Sequence, residues 1–164
     1  MTLVSLVTVV VGEYDPAIRF FVDVLGFELV EDTPSTTTDG RPKRWVVVRP
    51  PGAETGLLLA RADGPEQAAA VGNQVAGRVG FFLRVDDFAA THERLVAAGV
   101  TFVRPPRTEP YGRVAVVEDV DHGAMLRAGQ RARYGTGNRP STSTWARPDA
   151  AARRTRTSGN GTSS

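Results

Sequence analysis

The feature that most constrains this chain is a unit that occurs twice. Val7 to Val30 reads as strand, capped helix, glycine stop and second strand, and Val79 to Val103 reads the same way. In the first copy Asp15-Pro16 marks a helix start. Aspartate can accept the free N-terminal amides, and proline fits the first helical position, where no N–H is needed. Tyr14, Ile18, Phe21 and Leu25 recur at helical spacing, and Gly26 predicts a left-handed stop. In the second copy Asp87 is the cap, Phe88 to Ala98 the helix and Gly99 the stop. Val11, Tyr14 and Phe21 align with Val85, Phe88 and Leu95, and Gly26, Phe27 and Val30 with Gly99, Val100 and Val103. The register slips by one residue at the helix end. A repeat of about 73 residues occurring twice is too long and too few for a solenoid, and predicts two halves of one domain.

The remaining segments fit around these units. Leu3 to Val11 is apolar at almost every position, which predicts a strand covered on both sides. Asp32 to Lys43 is polar and reads as a loop, Arg44 to Arg49 as a strand, Pro50-Pro51-Gly52 as a turn and Gly56 to Ala60 as another strand. Arg61 to Gly77 is a connector with a short helical turn at Ala68 to Val71. After the second unit come strands at Arg113 to Glu118 and Ala124 to Ala128, with a turn at Asp119 to Gly123. Each half is then β-α-β-β-β and the class is α+β. The expected domain spans 2–128, with modules at about 2–60 and 78–128.

From Gly129 the composition changes to Ser, Thr, Gly and Arg with almost no aliphatics, which predicts a disordered tail at 129–164. The tail holds seven Arg against Asp149, a net +6. The whole chain is +2, so the first 128 residues stand at −4. The basic excess therefore belongs to the tail and argues against nucleic-acid binding by the folded part. The chain has no cysteine, which excludes disulfide and thiolate chemistry and fits a reducing, cytoplasmic setting. No apolar run reaches the ~20 residues of a membrane helix, and Leu3 to Val11 lacks the basic flank and cleavage site of a signal peptide.

The segments VVVGEYDPAIRFFVDVLGFELVED, RWVVVRPPGAETGLLLA, GFFLRVDDFAATHERLVAAGVTFV and PYGRVAVVEDVDHG resemble the vicinal oxygen chelate superfamily, the glyoxalase, bleomycin-resistance and extradiol-dioxygenase fold. The resemblance covers about residues 2–128. It implies two βαβββ modules forming one curved mixed sheet around a cavity, with helices outside, and a homodimer. It does not fix the chemistry, because one fold hosts many activities. The metalloenzymes of this superfamily place a His, Glu or Gln ligand on each of four strands. By local motif those positions fall here on Leu6, Gly56, Gly80 and Leu126, none of which carries a donor for a divalent ion. A shift of one residue either way supplies no proper set. The turn Asp119-Val120-Asp121-His122-Gly123 departs from the usual Asp-Pro-Asp-Gly-Asn, and an inserted residue there would move the last position to Arg127.

Other constellations carry less. His92 reads as a half-buried helical histidine. His122, with Glu118, Asp119 and Asp121, reads as a solvated turn before it reads as a hard-cation site. Gly135 to Pro140 has no strand leading into it and is no phosphate loop. Strand alternation places Leu6, Thr8 and Val10 on one cavity face and Gly80, Phe82 and Arg84 on another. Arg84 would face Glu118 or a ligand anion, and Trp45, Phe82, Tyr111 and Met125 would form walls. The expected ligand-binding set is Thr8, Trp45, Phe82, Arg84, Tyr111, Glu118 and Met125, with no catalytic residue, metal or cofactor. The function this predicts is metal-independent binding of a drug or metabolite. The alternative is a glyoxalase-like lyase, isomerase or dioxygenase, for which Glu118 and Tyr111 are the acid–base candidates.

Overall fold

The computed structural model describes residues 1–110, 112–118, 120–121 and 125–131, with the backbone alone at 125–128, 130 and 131. The first module contains β1 (Leu6–Val11), α1 (Tyr14–Arg19) continuing as a π-helical turn (Phe20–Val24), β2 (Glu28–Thr36), β3 (Pro42–Arg49) and β4 (Gly56–Arg61). A linking helix, α2 (Gly64–Ala70), leads to the second module: β5 (Val79–Arg84), α3 (Phe88–Ala97), β6 (Phe102–Glu109), β7 (Gly112–Val117) and β8 (Met125–Arg131). Both modules have the predicted βαβββ order. Each forms a four-stranded sheet of equivalent topology, β1-β4-β3-β2 and β5-β8-β7-β6, with the first pair parallel and the others antiparallel. The curved mixed sheet expected of the fold is thus made in two halves.

One hydrophobic core serves both modules. Val9, Val11, Tyr14, Ala17, Phe21, Val46, Val48 and Leu59 of the first are buried in one cluster with Leu95 and Val117 of the second. Phe81, Leu83 and Phe102 pack against it. The π-helical turn accounts for the one-residue slip between the repeats. At the end of the second helix Gly99 N–H bonds to Val96 and Val100 N–H to Leu95, a Schellman stop. At the end of the first, Gly26 N–H reaches Val22 and Phe27 N–H reaches Phe21, one residue further in each case. The extra residue is absorbed as a π-turn, and both helices still end on a left-handed glycine, Gly26 at φ 76° and Gly99 at φ 71°.

Several expectations are corrected. β1 begins at Leu6, and only one face reaches full burial: Val9 and Val11 are buried, with Val7 at the strand start exposed, while on the other face Thr8 is exposed and Leu6 and Val10 are half-buried. Asp87 does cap α3, accepting from Ala90 N–H at 3.0 Å. Asp15 caps nothing, because the N-cap of α1 is Glu13 and the Asp15 carboxylate is bound by Arg44. The loop expected at Asp32 to Lys43 shrinks to Thr37–Arg41, since β2 and β3 stay paired from Glu28↔Arg49 to Thr36↔Pro42. β2 is an edge strand, which tolerates Pro34. β8 runs on to Arg131, into the stretch that composition assigns to the tail. The disorder expected at 132–164 lies outside the described residues.

Candidate functional site

The pocket arises where two neighbouring strands part. β3 pairs with β4 through Val46, Val47 and Val48 alone, against Leu59, Leu58 and Leu57. Before Val46, β3 follows β2, and beyond Leu59, β4 follows β1 through Val10↔Ala60 and Val11↔Arg61. A cavity of about 560 Å³ opens between the diverging arms, with Lys43, Arg44 and Trp45 on one side and Leu58, Ala60 and Arg61 on the other. Tyr14 reaches it from α1, and its hydroxyl accepts the Arg44 N–H at 3.2 Å, standing in for a β4 carbonyl.

Ion pairs fix the two arms around the cavity. Arg44 binds Asp15 at 2.6 Å and Asp32 through two nitrogens, and this holds the Asp32 carboxyl below its usual range. Arg41 makes a bidentate pair with Asp63, at 2.5 and 2.6 Å, which ties the β2–β3 turn to the start of α2. The same bond lowers the pKa of Asp63. Asp39, hydrogen-bonded first by the Thr37 hydroxyl and then by Arg41, is depressed to about 2. The Tyr14 ring lies near two guanidiniums, with Arg44 Cζ at 5.2 Å and Arg61 Cζ at 5.6 Å from its centroid.

The expected ligand residues are spread more widely than this cavity. Trp45 lines it and keeps 36% of its surface exposed. Thr8 is exposed on β1 beside Leu58, a cavity residue. Phe82 and Arg84 stand on the open face of β5, opposite the core-facing Phe81 and Leu83. Arg84 is exposed and makes no ion pair among the described residues, so the buried pairing with Glu118 is not formed. Glu118 is half-buried, with its N–H on Thr101. Met125 opens β8 opposite Val79, and Tyr111 lies outside the described residues. Tyr14, Lys43, Arg61 and Asp63 were not anticipated. The run Arg41-Pro42-Lys43-Arg44-Trp45, a dense patch of cations next to an aromatic, is a sequence signal for Lys43 alone; no local pattern brings Tyr14, Arg61 and Asp63 to it.

The four expected metal positions lie on paired strands, β1 with β4 and β5 with β8. Leu6 faces Gly56 across β1 and β4, and Gly80 lies at an irregularity of β5 between the partners of Met125 and Leu126. The residues present do not fit a divalent metal. A Cβ on Gly56 would lie 3.1 Å from Leu6 Cδ2 and 3.2 Å from Val47 Cγ1, so hydrocarbon fills the place of a ligand side chain. Among the described residues no group of three or more His, Cys, Asp or Glu could hold an ion. In the β7–β8 turn Asp121 accepts the Gly12 N–H at 3.3 Å and so ties the second module to the first, while Asp119 and His122 lie outside the described residues. His92 packs between Phe88 and Phe102, with centroids at 6.2 and 5.0 Å.

Comparison with known proteins agrees with this architecture. The family model for the Glyoxalase/Bleomycin resistance protein/Dioxygenase superfamily matches residues 3–125. This chain belongs to that superfamily. An uncharacterised protein of Shewanella frigidimarina is 50% identical over 115 residues, 70% of this chain and 83% of that one. The crystal structure of UcmS2 is 34% identical, with a TM-score of 0.63 over 79% of this chain and 98% of its own. TnmS3, an antibiotic binding protein from Streptomyces sp. CB03234, is 32% identical, with a TM-score of 0.62 over 80% of this chain and 98% of its own. Within the superfamily, this member keeps the two-module sheet and has leucine or glycine at each of the four expected metal positions.

Proposed function

We propose that this superfamily member is a metal-independent small-molecule binding protein, holding a drug or metabolite against the open side of its sheet. The observation that carries the reading is the packing of Leu6 into the space at Gly56, which puts a hydrocarbon contact where a metalloenzyme of this fold would put two ligands. Removing buried donors leaves a wall suited to apolar or planar ligands. The likeness to an antibiotic binding protein supports the same class of ligand. In this reading Thr8, Trp45, Phe82, Arg84, Tyr111, Glu118 and Met125 contact the ligand, and the protein acts as a cytoplasmic homodimer. Among the described residues no helix is long and apolar enough to cross a membrane.

Two measurements test it. Metal analysis of the purified protein is expected to find no stoichiometric transition metal, and a bound metal essential for ligand affinity would overturn the reading. In a Trp145→Phe variant Trp45 alone reports, and planar drugs or aromatic metabolites are expected to change its fluorescence and raise the melting temperature. A broad panel with neither effect would remove the support. Sedimentation at micromolar concentration tests the dimer.

A further inference from the structure

We infer that the cavity between β3 and β4 selects an anionic aromatic ligand, an aryl carboxylate, through Lys43 and Arg61. The inference rests on the small-molecule reading above and names the chemical class.

Four cations line the cavity, Arg41, Lys43, Arg44 and Arg61, and the one acidic residue lining it among those described is Asp63. Two of the cations are already neutralised. Arg41 is held by Asp63 and Asp39, and Arg44 by Asp15 and Asp32. Lys43 has no ion pair among the described residues. The nearest acid to Arg61 is the exposed Glu13, at 3.9 Å, the limit of an ion pair. The wall therefore carries one cation without an ion pair, Lys43, and one, Arg61, that is paired only loosely with Glu13 and sits in the field of Asp63, whose carboxylate is already bound by Arg41. An anion entering the cavity meets attraction from both arms and displaces no tight protein pair. A cationic ligand would meet the opposite field.

The rest of the lining selects an aromatic body. Trp45 offers a partly exposed indole, and Leu58 and Ala60 give a flat apolar floor on the neighbouring strand. Lys43 and Trp45 are two apart on β3 and share a face, so an ammonium and an aromatic surface point the same way. Arg61, on the other arm, projects from the face of β4 opposite to Leu58 and Ala60, beside Tyr14, and lines the cavity there with a planar guanidinium suited to two-point hydrogen bonding of a carboxylate. A volume of about 560 Å³ falls within the ordinary range for small-molecule pockets.

The test compares 2-naphthoate with its neutral isostere 2-naphthamide by titration calorimetry on the full chain. The wild type is expected to bind the carboxylate at least about tenfold more tightly than the amide. The Lys43→Gln/Arg61→Gln variant is expected to lose that preference, each single variant losing part of it. Both side chains project from exposed positions, so the variants are expected to fold, and thermal denaturation checks this. Should the double variant fail to fold, salt dependence of the wild type serves instead: raising sodium chloride tenfold should weaken naphthoate severalfold and leave naphthamide unaffected. Equal affinity for the two probes, or a preference that survives in the double variant or resists salt, overturns the inference while the binding reading stands. Absence of binding by both probes overturns the inference and counts against the binding reading at this cavity.

Discussion

At the scale of single residues, the most telling contact is the one between Leu6 and Gly56. A methyl group on Gly56 would meet Leu6 and Val47 side chains and also the Val48 carbonyl oxygen, 3.3 Å away. The backbone oxygen cannot move aside without disturbing the three-residue pairing of β3 with β4. Gly56→Ala is therefore expected to destabilise the fold by about 1–3 kcal/mol, as overpacking of a filled core does. Truncating Leu6 removes the nearest of the three atoms. In a Leu6→Ala background the same change should cost less, with a coupling of at least about 0.5 kcal/mol in a double-mutant cycle followed by urea denaturation. Additivity would mean that Leu6 is not what occupies the ligand position. The cycle also explains why restoring a metal site would take more than one substitution: a carboxylate at position 56 needs the volume that Leu6 now fills.

At the scale of elements, the helix ends show what the sequence can and cannot reveal. The glycine stops and the Asp87 cap were legible because each depends on neighbours within a few positions. Asp15 looked like an equivalent cap and is not, because its partner Arg44 lies 29 positions away. The one-residue mismatch between the copies was visible in the sequence, but its form as a π-turn was not. Deleting Asp23, exposed in that turn, should bring the first helix into register with the second and preserve the fold. Deleting Glu93, equally exposed in the regular α3, should rotate Leu95 out of the core and cost about 2–5 kcal/mol. Circular dichroism melts distinguish the outcomes, and similar losses from both deletions would refute the π-turn account. The β2–β3 turn offers a separate test. The pKa of Asp39 is depressed from the usual 3.8 to about 2 by Thr37 and Arg41, so its contribution is present above pH 3.8 and lost as the pH falls toward 2. Carboxyl NMR should place its midpoint near 2, with the amide shifts of 37–41 following it. The candidate site was legible in part for the same reason as the helices. Trp45 stood out as a strand aromatic, but the cavity exists because β3 and β4 stop pairing at Val46, a long-range event that no local pattern encodes. Lys43 and Arg61 consequently read as loop and connector charges.

At the scale of the whole molecule, the two sheets meet without a described backbone ladder between β1 and β5. β1 pairs with β4 on one side, which leaves the amides of its other edge in need of partners. Gln74, in the linker, supplies them: its Oε1 accepts Val10 N–H and its Nε2 donates to Thr8 C=O, both at 2.8 Å. A side-chain amide has the donor and acceptor of a peptide unit, so one residue takes the place of a strand segment. Together with the shared core and the Asp121–Gly12 bond, it joins the modules while Thr8 keeps its side chain on the open face. Gln74→Ala leaves both β1 groups without that partner, but the position is exposed and water can replace it. The expected loss of global stability is thus at most about 1 kcal/mol. The local effect should be larger than the global one. Hydrogen exchange at the Val10 amide is expected to accelerate toward that of a frayed edge, while Val9 and Val11, on the β4 side of the strand, keep their protection. Unchanged exchange at Val10 would mean that another group covers this edge. Acceleration throughout β1 would mean that Gln74 supports the strand as a whole, and the sheets would then be joined more cooperatively than two side-chain hydrogen bonds allow.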